Sequence, residues 1–431
     1  MKNVRNILLV ILSVVVVASM FQTVFAAEKV TLKMYAYQDL ADPVMRANWE
    51  EMLEAFGKEY PDIDLDIEYG VDEAYHTKLQ TMVMAGQIPD VIRLWPGKRT
   101  AYITSHGVIK DLRPLLKGHE SEFVPGALGP QGPDGEIYEL PQQMETTHIM
   151  YTNERLLQEL GLTFPKTMDE LIAQGETIRK AGLIPIAMTN KAGWQMQSCF
   201  LSALAERAGG MEWYTKAITG DGASFADPEF VNALSVIDTL MKNEMFLPGI
   251  NQADYGTALT EFVNERAVYY IDGGWRINNL VGELKDEQKE YITLRTFPDI
   301  PNQKGTSGST ALVTGDGYGM SASLEGEKAE AAWKWIWFFC GPVGSKIRQA
   351  KGMITAYNLP VNEELDIMIK KLAGFISETP GGYVLDGVMD AEGMGVLQQG
   401  VQEMMLGAKT PEQVAAEYEA WVAANDSNRK K

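Results

Sequence analysis

Several aromatic side chains lie beside glycine, proline or polar residues, where their ring faces could bind a ligand. Trp95 precedes Pro96-Gly97, and Trp275 follows Gly273-Gly274. Sugars present flat C–H faces ringed by hydroxyl groups, so aromatic rings stack on them while amides and carboxylates bind the hydroxyls. The pattern favours carbohydrate binding, although packing explains any single ring equally well. The rings concerned are Tyr35, Tyr37, Trp95, Trp194, Trp213, Trp275, Tyr318 and Tyr383.

The common catalytic motifs are missing from the sequence. It contains no His-Glu-x-x-His, no Cys-x-x-Cys and no Gly-x-x-x-x-Gly-Lys-Ser/Thr. Its four histidines show no metal-ligand spacing. We therefore predict a protein that binds without catalysing a reaction and needs no cofactor and no metal. A secreted polysaccharide-degrading enzyme remains an alternative, because two of the 58 acidic residues could converge as a glycosidase pair.

The first hundred residues predict a parallel α/β unit. Val30–Tyr37 alternates as a strand, a helix with apolar spacing follows Pro43, and Ile63, Leu65 and Ile67 alternate as a second strand. A further helix ends near Gly86, and Val91–Leu94 reads as a short buried strand. Ligands collect outside the carboxyl ends of strands in such sheets. Two places fit this rule, Tyr37-Gln38-Asp39 and the loop Trp95-Pro96-Gly97-Lys98.

The remaining sequence continues the mixture of helices and strands. A chain of 431 residues exceeds the size at which one hydrophobic core keeps growing, so two lobes are expected. Helices are predicted at Glu154–Leu160, Met168–Lys180, Asp227–Asn243, Glu327–Cys340 and Pro411–Ala424, and strands at Ile137–Leu140, Ile149–Thr152, Val268–Ile271 and Tyr318–Ser321.

The N-terminus has the features of a secretory signal peptide. Lys2 and Arg5 precede an apolar run from Ile7 to Met20, and small residues lead to Ala26. We predict cleavage after Ala26, making residues 1–26 the signal peptide. The apolar run is shorter than the ~20 residues of a membrane-spanning helix. No cysteine near the cleavage site could carry a lipid anchor, so a freely soluble periplasmic protein is expected.

The net charge indicates which classes of binding partner are disfavoured, and the two cysteines bear on disulfide bonding. The net charge of −20 argues against binding to nucleic acid or to anionic lipid. Cys199 and Cys340 lie in apolar stretches, which favours buried free thiols, although an oxidising compartment leaves a disulfide open.

Several stretches from about Val30 to Trp421 resemble the family 1 extracellular solute-binding proteins of carbohydrate ABC importers, which include maltose- and oligosaccharide-binding proteins. Their order and spacing are more specific than any one stretch. The chain departs from the family pattern at Met168, where Trp is usual, at the inserted Thr152, and at Glu265, where Gly is common. The matching stretches are Tyr75–Leu79, Ala85–Val91, Tyr138–Pro141, Met150–Asn153, Leu160–Leu162, Pro165–Leu171, Phe262–Ala267, Gly273–Trp275 and Thr410–Gln413.

The resemblance implies a two-lobed periplasmic binding protein fold of type II. Each lobe would be a mainly parallel sheet flanked by helices, and crossing hinge segments would join the lobes. Residues 27–141 with 299–341 would form the first lobe, and 142–298 with 342–431 the second. A monomer of this kind binds a mono- or oligosaccharide between its lobes, closes around it and delivers it to the membrane permease subunits of the importer. A ligand of another polar class, or a chemosensory receptor as partner, are the alternatives.

The resemblance also implies which residues would line the ligand site. Arg276 directly follows Trp275, and Arg93 lies near the end of the strand that leads to Trp95. Either arginine could favour an acidic sugar by pairing with its carboxylate. Surface arginines are commoner than ligand arginines, so a scaffold role stays open. The matching positions are Tyr37, Gln38, Asp39, Trp95, Glu145, Trp194, Gln195, Trp275, Arg276, Asp316, Tyr383 and Asp386.

Overall fold

A computed structural model describes most of the chain. The described residues are 29–97, 100–129, 131–132, 134–351, 353–360, 364–379, 381–389 and 391–425. The predicted signal peptide, residues 1–26, lies outside them, as does the side chain of Asp386. Among the helices in these ranges, none combines the length and the apolar character needed to cross a membrane.

Strands occur throughout the chain up to residue 320. They are β1 (Val30–Tyr37), β2 (Ile63–Gly70), β3 (Val91–Leu94), β4 (Leu140–Pro141), β5 (Met144–Thr146), β6 (Ile149–Asn153), β7 (Ile184–Ala187), β8 (Ala267–Asp272), β9 (Ile292–Arg295), β10 (Leu312–Thr314) and β11 (Gly317–Met320).

Helices fill most of the sequence between the strands. They are α1 (Pro43–Glu59), α2 (Asp72–Met84), α3 (Ala101–Thr104), α4 (Arg113–Leu116), α5 (Glu154–Glu159), α6 (Met168–Lys180), α7 (Ser202–Thr219), α8 (Pro228–Lys242), α9 (Tyr255–Val263), α10 (Ile277–Glu283), α11 (Asp286–Tyr291), α12 (Gly326–Cys340), α13 (Pro342–Gln349), α14 (Ile367–Glu378), α15 (Leu385–Val388), α16 (Ala391–Met405) and α17 (Pro411–Asn425), with one turn of π-helix at Met196–Leu201 and short 3-10 turns at Glu120–Glu122 and Gly274–Arg276.

The first lobe is built on a five-stranded sheet in the order β2-β1-β3-β11-β4. β1 pairs in parallel with β2 and β3, whereas β11 runs antiparallel to β3 and β4. Both faces of β1 are covered: Leu32 and Met34 pack in one apolar cluster, and Tyr35 packs in another with Tyr75. The predicted opening β-α-β-α-β arrangement is confirmed.

The second lobe is built on a four-stranded sheet in the order β7-β8-β6-β9. Its central strand β8 is buried at every residue, pairing in parallel with β7 and antiparallel with β6. A strand buried on both faces reads as a continuous apolar run, which is why Ala267–Asp272 shows no alternation. Two separate sheets, each with its own core, confirm the predicted two-lobed α/β fold. The prediction that each sheet is mainly parallel is wrong: in the second lobe only β7 and β8 pair in parallel, and β6 is antiparallel to both β8 and β9. In the first lobe two of the four pairings are antiparallel.

A small two-stranded sheet of β5 and β10 lies where the chain passes between the lobes, with Glu145 opposite Val313. The residues from Asp299 to Ser309, which precede β10, pack on the second lobe: the Asp299 carbonyl accepts from Met168 N at 2.8 Å, and the Ser309 hydroxyl accepts from Arg207 Nε at 3.3 Å. Residues after α12 still pack on the first lobe, because Ala356 lies in its core and its carbonyl accepts from Val124 N at 2.8 Å. Both crossings therefore lie later than the predicted boundaries at 298/299 and 341/342. Backbone pairing decides these positions, and composition does not reveal it.

The two cysteines are buried free thiols in different lobes. Cys199 lies in the π-helical turn of the second lobe and Cys340 at the end of α12 in the first. The structure thus has the free-thiol arrangement favoured from the sequence rather than a disulfide.

Candidate functional site

Two aromatic rings at the carboxyl ends of β1 and β3 form the first-lobe wall of the inter-lobe cleft. The rings of Tyr37 and Trp95 meet edge to face, with centroids 5.2 Å apart. Tyr75 of α2 supports both rings at 5.4 and 5.9 Å. Because parallel strands end at one edge of the sheet, the two sequence-predicted positions come together here.

An ion pair behind this wall fixes its position. Arg93 pairs with Asp316 and also donates to the Tyr37 carbonyl at 2.7 Å. Asp316 is 1% exposed and accepts from the side-chain amides of Gln142 and Gln143 at 2.8 and 3.1 Å. The charge of Arg93 is therefore matched by a buried carboxylate, and Asp316 ties the end of β3 to the chain crossing between the lobes.

Gln38 and Asp39 shape the loop that leads from β1 to α1. The Gln38 amide donates to the Met45 carbonyl at 3.2 Å, and Asp39 accepts from Ala41 N at 2.8 Å. Both side chains are half-buried. These contacts hold the loop beside Tyr37.

A carboxylate that the sequence reasoning did not single out faces the same wall. Asp72, the first residue of α2, has a φ of 49°, in the left-handed region that few residues other than Gly, Asn and Asp adopt. The Tyr37 hydroxyl lies 3.5 Å from its Oδ1. Asp72 follows the carboxyl end of β2, so the strand-end rule that found Tyr37 and Trp95 would also have found Asp72.

Three rings form the second-lobe wall. The centroid of Trp194 lies 4.8 Å from Tyr255 and 6.0 Å from Trp275. The Trp275 indole nitrogen donates to the Tyr255 hydroxyl at 2.7 Å. Burial raises the pKa of the Tyr255 phenol well above its usual value, so the hydroxyl stays a neutral donor and acceptor. Trp194 and Trp275 were predicted from the sequence, whereas Tyr255 was not.

The buried carboxylate of Asp272 fixes these rings from behind. It is 0% exposed and accepts from the Tyr255 hydroxyl at 3.0 Å, the Gln195 amide at 2.9 Å and Arg276 Nε at 3.3 Å. The Arg276 guanidinium stacks on the Tyr255 ring at 3.7 Å from its centroid. Gln195 and Arg276 are buried and both donate to Asp272, so in this structure they hold the aromatic wall.

The two lobes share one design. In each, a buried aspartate pairs with an arginine whose guanidinium lies against an aromatic ring of the cleft, Asp316 with Arg93 in one and Asp272 with Arg276 in the other. Since each positive charge already has a buried carboxylate partner, neither arginine presents a spare charge for an acidic sugar.

Glu145 belongs to the hinge sheet and lines a concavity together with Trp275. Its carboxylate accepts from the Gln143 amide at 2.6 Å. Thr146 and Gly274 line the same concavity, which places the hinge directly beside the second-lobe wall.

Contacts between the lobes close the site on several sides. The Trp194 indole donates to Asp72 Oδ1 at 3.2 Å, and Asn279 donates to Asp42 Oδ2 at 3.0 Å. The backbones of Gly97 in the first lobe and Gly387 in the second also approach closely. A Cβ added to Gly97, whose φ is 87°, would lie only 2.2 Å from the Gly387 carbonyl oxygen, so any larger residue would clash there. Neither Asp42 nor Asn279 was predicted, because only the folded chain brings α1 and α10 together.

Tyr383 packs on the second lobe through a ring contact of its own, not through the rings of Trp194, Tyr255 and Trp275. Its ring meets the buried Tyr214 of α7 edge to face at 5.9 Å, and it packs on the main core of the second lobe. Asp386 lies in α15, and its side chain is outside the described part of the structure.

The family model for bacterial extracellular solute-binding proteins matches residues 51–371. The chain belongs to this family. The predicted resemblance is thereby confirmed at the level of the family.

Curated relatives of this solute-binding protein carry sugar-binding names. A probable sugar-binding periplasmic protein of Mesorhizobium japonicum is 26% identical over 62% of this chain and 61% of its own length. The multiple sugar-binding protein of Streptococcus mutans is 23% identical over 66% of this chain and 65% of its own. The chain thus spans somewhat less than two thirds of these relatives.

Solved structures share the whole fold. A chitin oligosaccharide binding protein superposes with a TM-score of 0.82 at 23% identity, covering 92% of this chain and 99% of that one. The maltose/maltodextrin-binding domain from Bdellovibrio bacteriovorus, bound to maltotriose, gives a TM-score of 0.72 at 18% identity, covering 92% and 100%. At these identities the likeness establishes the two-lobed fold of this solute-binding protein.

Proposed function

We propose that this protein is the carbohydrate-binding subunit of an ABC importer, which captures a mono- or oligosaccharide between its lobes and delivers it to the membrane permease. The observation that carries the proposal is the pair of aromatic walls. Tyr37 and Trp95 come from one lobe, Trp194 and Trp275 from the other, and Asp72 lies between them. Rings supply stacking surfaces for sugar C–H faces, and carboxylates accept sugar hydroxyl protons.

Binding, rather than turnover, is the proposed mechanism. A sugar that enters the open cleft stacks on the walls and bonds to groups of both lobes, so its affinity is higher for the closed form than for the open form. A ligand shifts a conformational equilibrium only through such differential affinity. The closed form would then dock on the permease. The relatives named for sugar binding support the carbohydrate class.

The same proposal covers the site residues and the compartment. We assign direct ligand contact to Tyr37, Trp95, Trp194, Trp275 and Asp72, and a positioning role to the predicted residues Gln38, Asp39, Gln195, Arg276 and Asp316. Glu145 at the hinge remains a ligand candidate, as do Tyr383 and Asp386. The protein would act as a monomer in the periplasm after cleavage at Ala26.

A thermal-shift panel of the mature protein tests this function. Maltotriose, cellotriose, xylotriose, chitotriose, galacturonate and amino acids are added singly. A ligand that binds only the native state raises Tm once its concentration exceeds Kd, because it adds about 2.7 kcal/mol to the free energy of unfolding at 100 times Kd. We expect a shift with a neutral oligosaccharide. A shift with amino acids alone would overturn the carbohydrate class, and steady release of reducing ends would identify an enzyme instead.

Matched variants locate the site. Trp194→Ala and Trp95→Ala remove one ring from each wall. Each should weaken sugar binding about 5- to 150-fold, since stacking of a flat ligand face on an aromatic side chain contributes about 1–3 kcal/mol. Trp213→Ala removes a ring on α7 that donates to Asp227 within the second lobe and should leave Kd unchanged. Equal loss in all three variants would place the binding site elsewhere.

A further inference from the structure

An unsatisfied carboxyl group lies behind the first-lobe wall. Glu139 is 1% exposed, and neither of its carboxyl oxygens has a hydrogen-bond partner in the described structure. The other buried carboxylates of the site, Asp316 and Asp272, each accept several hydrogen bonds. Because an unpaired buried polar group destabilises the fold, such a group calls for an explanation.

The backbone of Glu139 is fixed in place. Gln131 Oε1 accepts from the backbone nitrogens of Tyr138 and Glu139 at 2.6 and 2.8 Å, and its amide donates to the Glu139 carbonyl at 3.3 Å. The next two residues form β4, which pairs with β11. The carboxyl group is therefore held at this position by ordered main chain on both sides.

Glu139 lines a concavity that begins at Trp95. The polar residues that line this concavity also include Thr100, Gln131 and Tyr138. The Trp95 ring is part of the first-lobe wall, and the neighbouring Gly97 approaches Gly387 of the second lobe. The concavity therefore adjoins Trp95, a ring on which a sugar would stack.

The buried position of Glu139 favours the protonated form of its carboxyl group. Burial raises the pKa of Glu139 well above its usual value, the charges of Asp316 and Glu145 raise it further, and Arg93 opposes them. A protonated carboxyl group is both a donor and an acceptor of hydrogen bonds. A sugar hydroxyl has the same two capacities, so the two groups can bond to each other reciprocally.

We propose that Glu139 is a specificity-determining ligand contact, which binds a hydroxyl group of the neutral sugar unit stacked on Trp95. The inference rests on the proposed function and deepens it, because it names neutral sugars as the substrate class. A uronate carboxylate brought to this position would meet the like charges of Asp316 and Glu145, whereas the nearby Arg93 is already paired with Asp316.

Two variants of Glu139 separate a ligand contact from a structural role. Glu139→Gln keeps a donor and an acceptor without a titrating proton, and Glu139→Met keeps the length of the side chain without either. Affinity is measured by calorimetry with the neutral trisaccharide of the panel that gives the largest Tm shift. Glu54→Met, on the exposed face of α1, is the control.

We expect Glu139→Met to weaken binding at least tenfold, because the sugar hydroxyl loses both hydrogen bonds, while the ligand-free Tm stays equal or rises. Glu139→Gln should bind within about threefold of the wild type. Wild-type affinity should also fall as the pH is raised through the elevated pKa of Glu139, and the affinity of Glu139→Gln should not.

The other outcomes separate the two hypotheses. If the wild type binds the trisaccharide and Glu139→Met binds it equally well, this inference is wrong and the proposed function stands. If Glu139→Met lowers the ligand-free Tm and Glu139→Gln loses as much affinity as Glu139→Met, the carboxyl group is structural and the inference is also wrong. If the wild type binds no sugar of the panel, the proposed function itself fails.

Discussion

The indole nitrogen of Trp194 in the second lobe donates to Oδ1 of Asp72 in the first lobe at 3.2 Å. The same oxygen lies 3.5 Å from the Tyr37 hydroxyl. One carboxylate oxygen therefore joins the two aromatic walls of the cleft. Since the hydrogen bond exists only while the lobes are in contact, it stabilises the closed form relative to the open form.

Trp194→Phe should favour the open form of the ligand-free protein. The ring is kept and only the N–H donor is lost, and a hydrogen bond to a charged group contributes about 1.5–3 kcal/mol when it is shielded from water. Small-angle scattering should show a larger radius of gyration. Asp72→Gly removes the acceptor and tolerates the positive φ at this position. Combined with Trp194→Phe it should add little, because both changes remove the same bond.

Trp213→Phe is the matched control for this experiment. It removes an indole N–H that donates to Asp227 at 3.1 Å, within one lobe. Its radius of gyration should equal that of the wild type. An unchanged radius in Trp194→Phe as well would show that the other inter-lobe contacts suffice to hold the lobes together.

Asp272→Asn should destabilise the protein by about 3 kcal/mol, because it removes the nearer counter-charge of the buried Arg276 and leaves only Asp42, at 3.9 Å. The Asp272 carboxylate is 0% exposed and also holds Tyr255 and Gln195. Urea unfolding measures the loss. Asp64→Asn breaks the exposed Lys29–Asp64 pair instead and should cost about 1 kcal/mol or less. Similar midpoints for the two variants would contradict the assigned role of Asp272.

Stability should decrease at acid pH through His148. Burial, with the nearby charge of Arg207, lowers the pKa of His148 to about 3. An unfolded histidine titrates near 6.5, so between about pH 6.5 and 3 only the unfolded chain binds this proton, and stability falls as the pH falls. At pH 5 the loss from this one group is about 2 kcal/mol relative to pH 7.

The variant His148→Leu isolates that contribution. Urea midpoints are compared at pH 7 and pH 5 for the wild type, for His148→Leu and for His106→Gln, whose imidazole is exposed. The pH dependence should weaken in His148→Leu and persist in His106→Gln. Parallel pH profiles in all three proteins would exclude His148 as the cause.

Neither thiol should react in the native protein. Cys199 and Cys340 are both 0% exposed, and burial raises the pKa of Cys340 to about 12. The thiolate is the reactive form, so a dithiobis-nitrobenzoate assay should detect no thiol in buffer and two in concentrated urea. Fewer than two in urea without reductant would indicate a disulfide between the lobes.

The sequence predicted the residues whose position follows from local rules. Tyr37 and Trp95 stand directly after alternating or apolar strands, and parallel strands bring their ends to one edge, so both reach the cleft wall. The same rule applied to β2 leads to Asp72. The predicted lobe boundaries were less accurate, because they depend on which core the residues after 298 and after 341 pack against.

Hydropathy alternation, strand-end loops and length were enough to predict an α/β fold with two cores and aromatic residues at strand ends, and the family resemblance placed the ligand site between the lobes. Only the tertiary structure decided which polar groups face the ligand and which support the walls. Arg276 and Gln195 are adjacent in sequence to the rings Trp275 and Trp194, yet both turn inward to Asp272. Tyr255 joins those rings from a helix 20 residues away from Trp275. The order of residues along the chain shows which residues are neighbours in sequence, but not which buried charges pair. That pairing depends on the fold, because an unpaired charge is strongly destabilising in the low-dielectric interior.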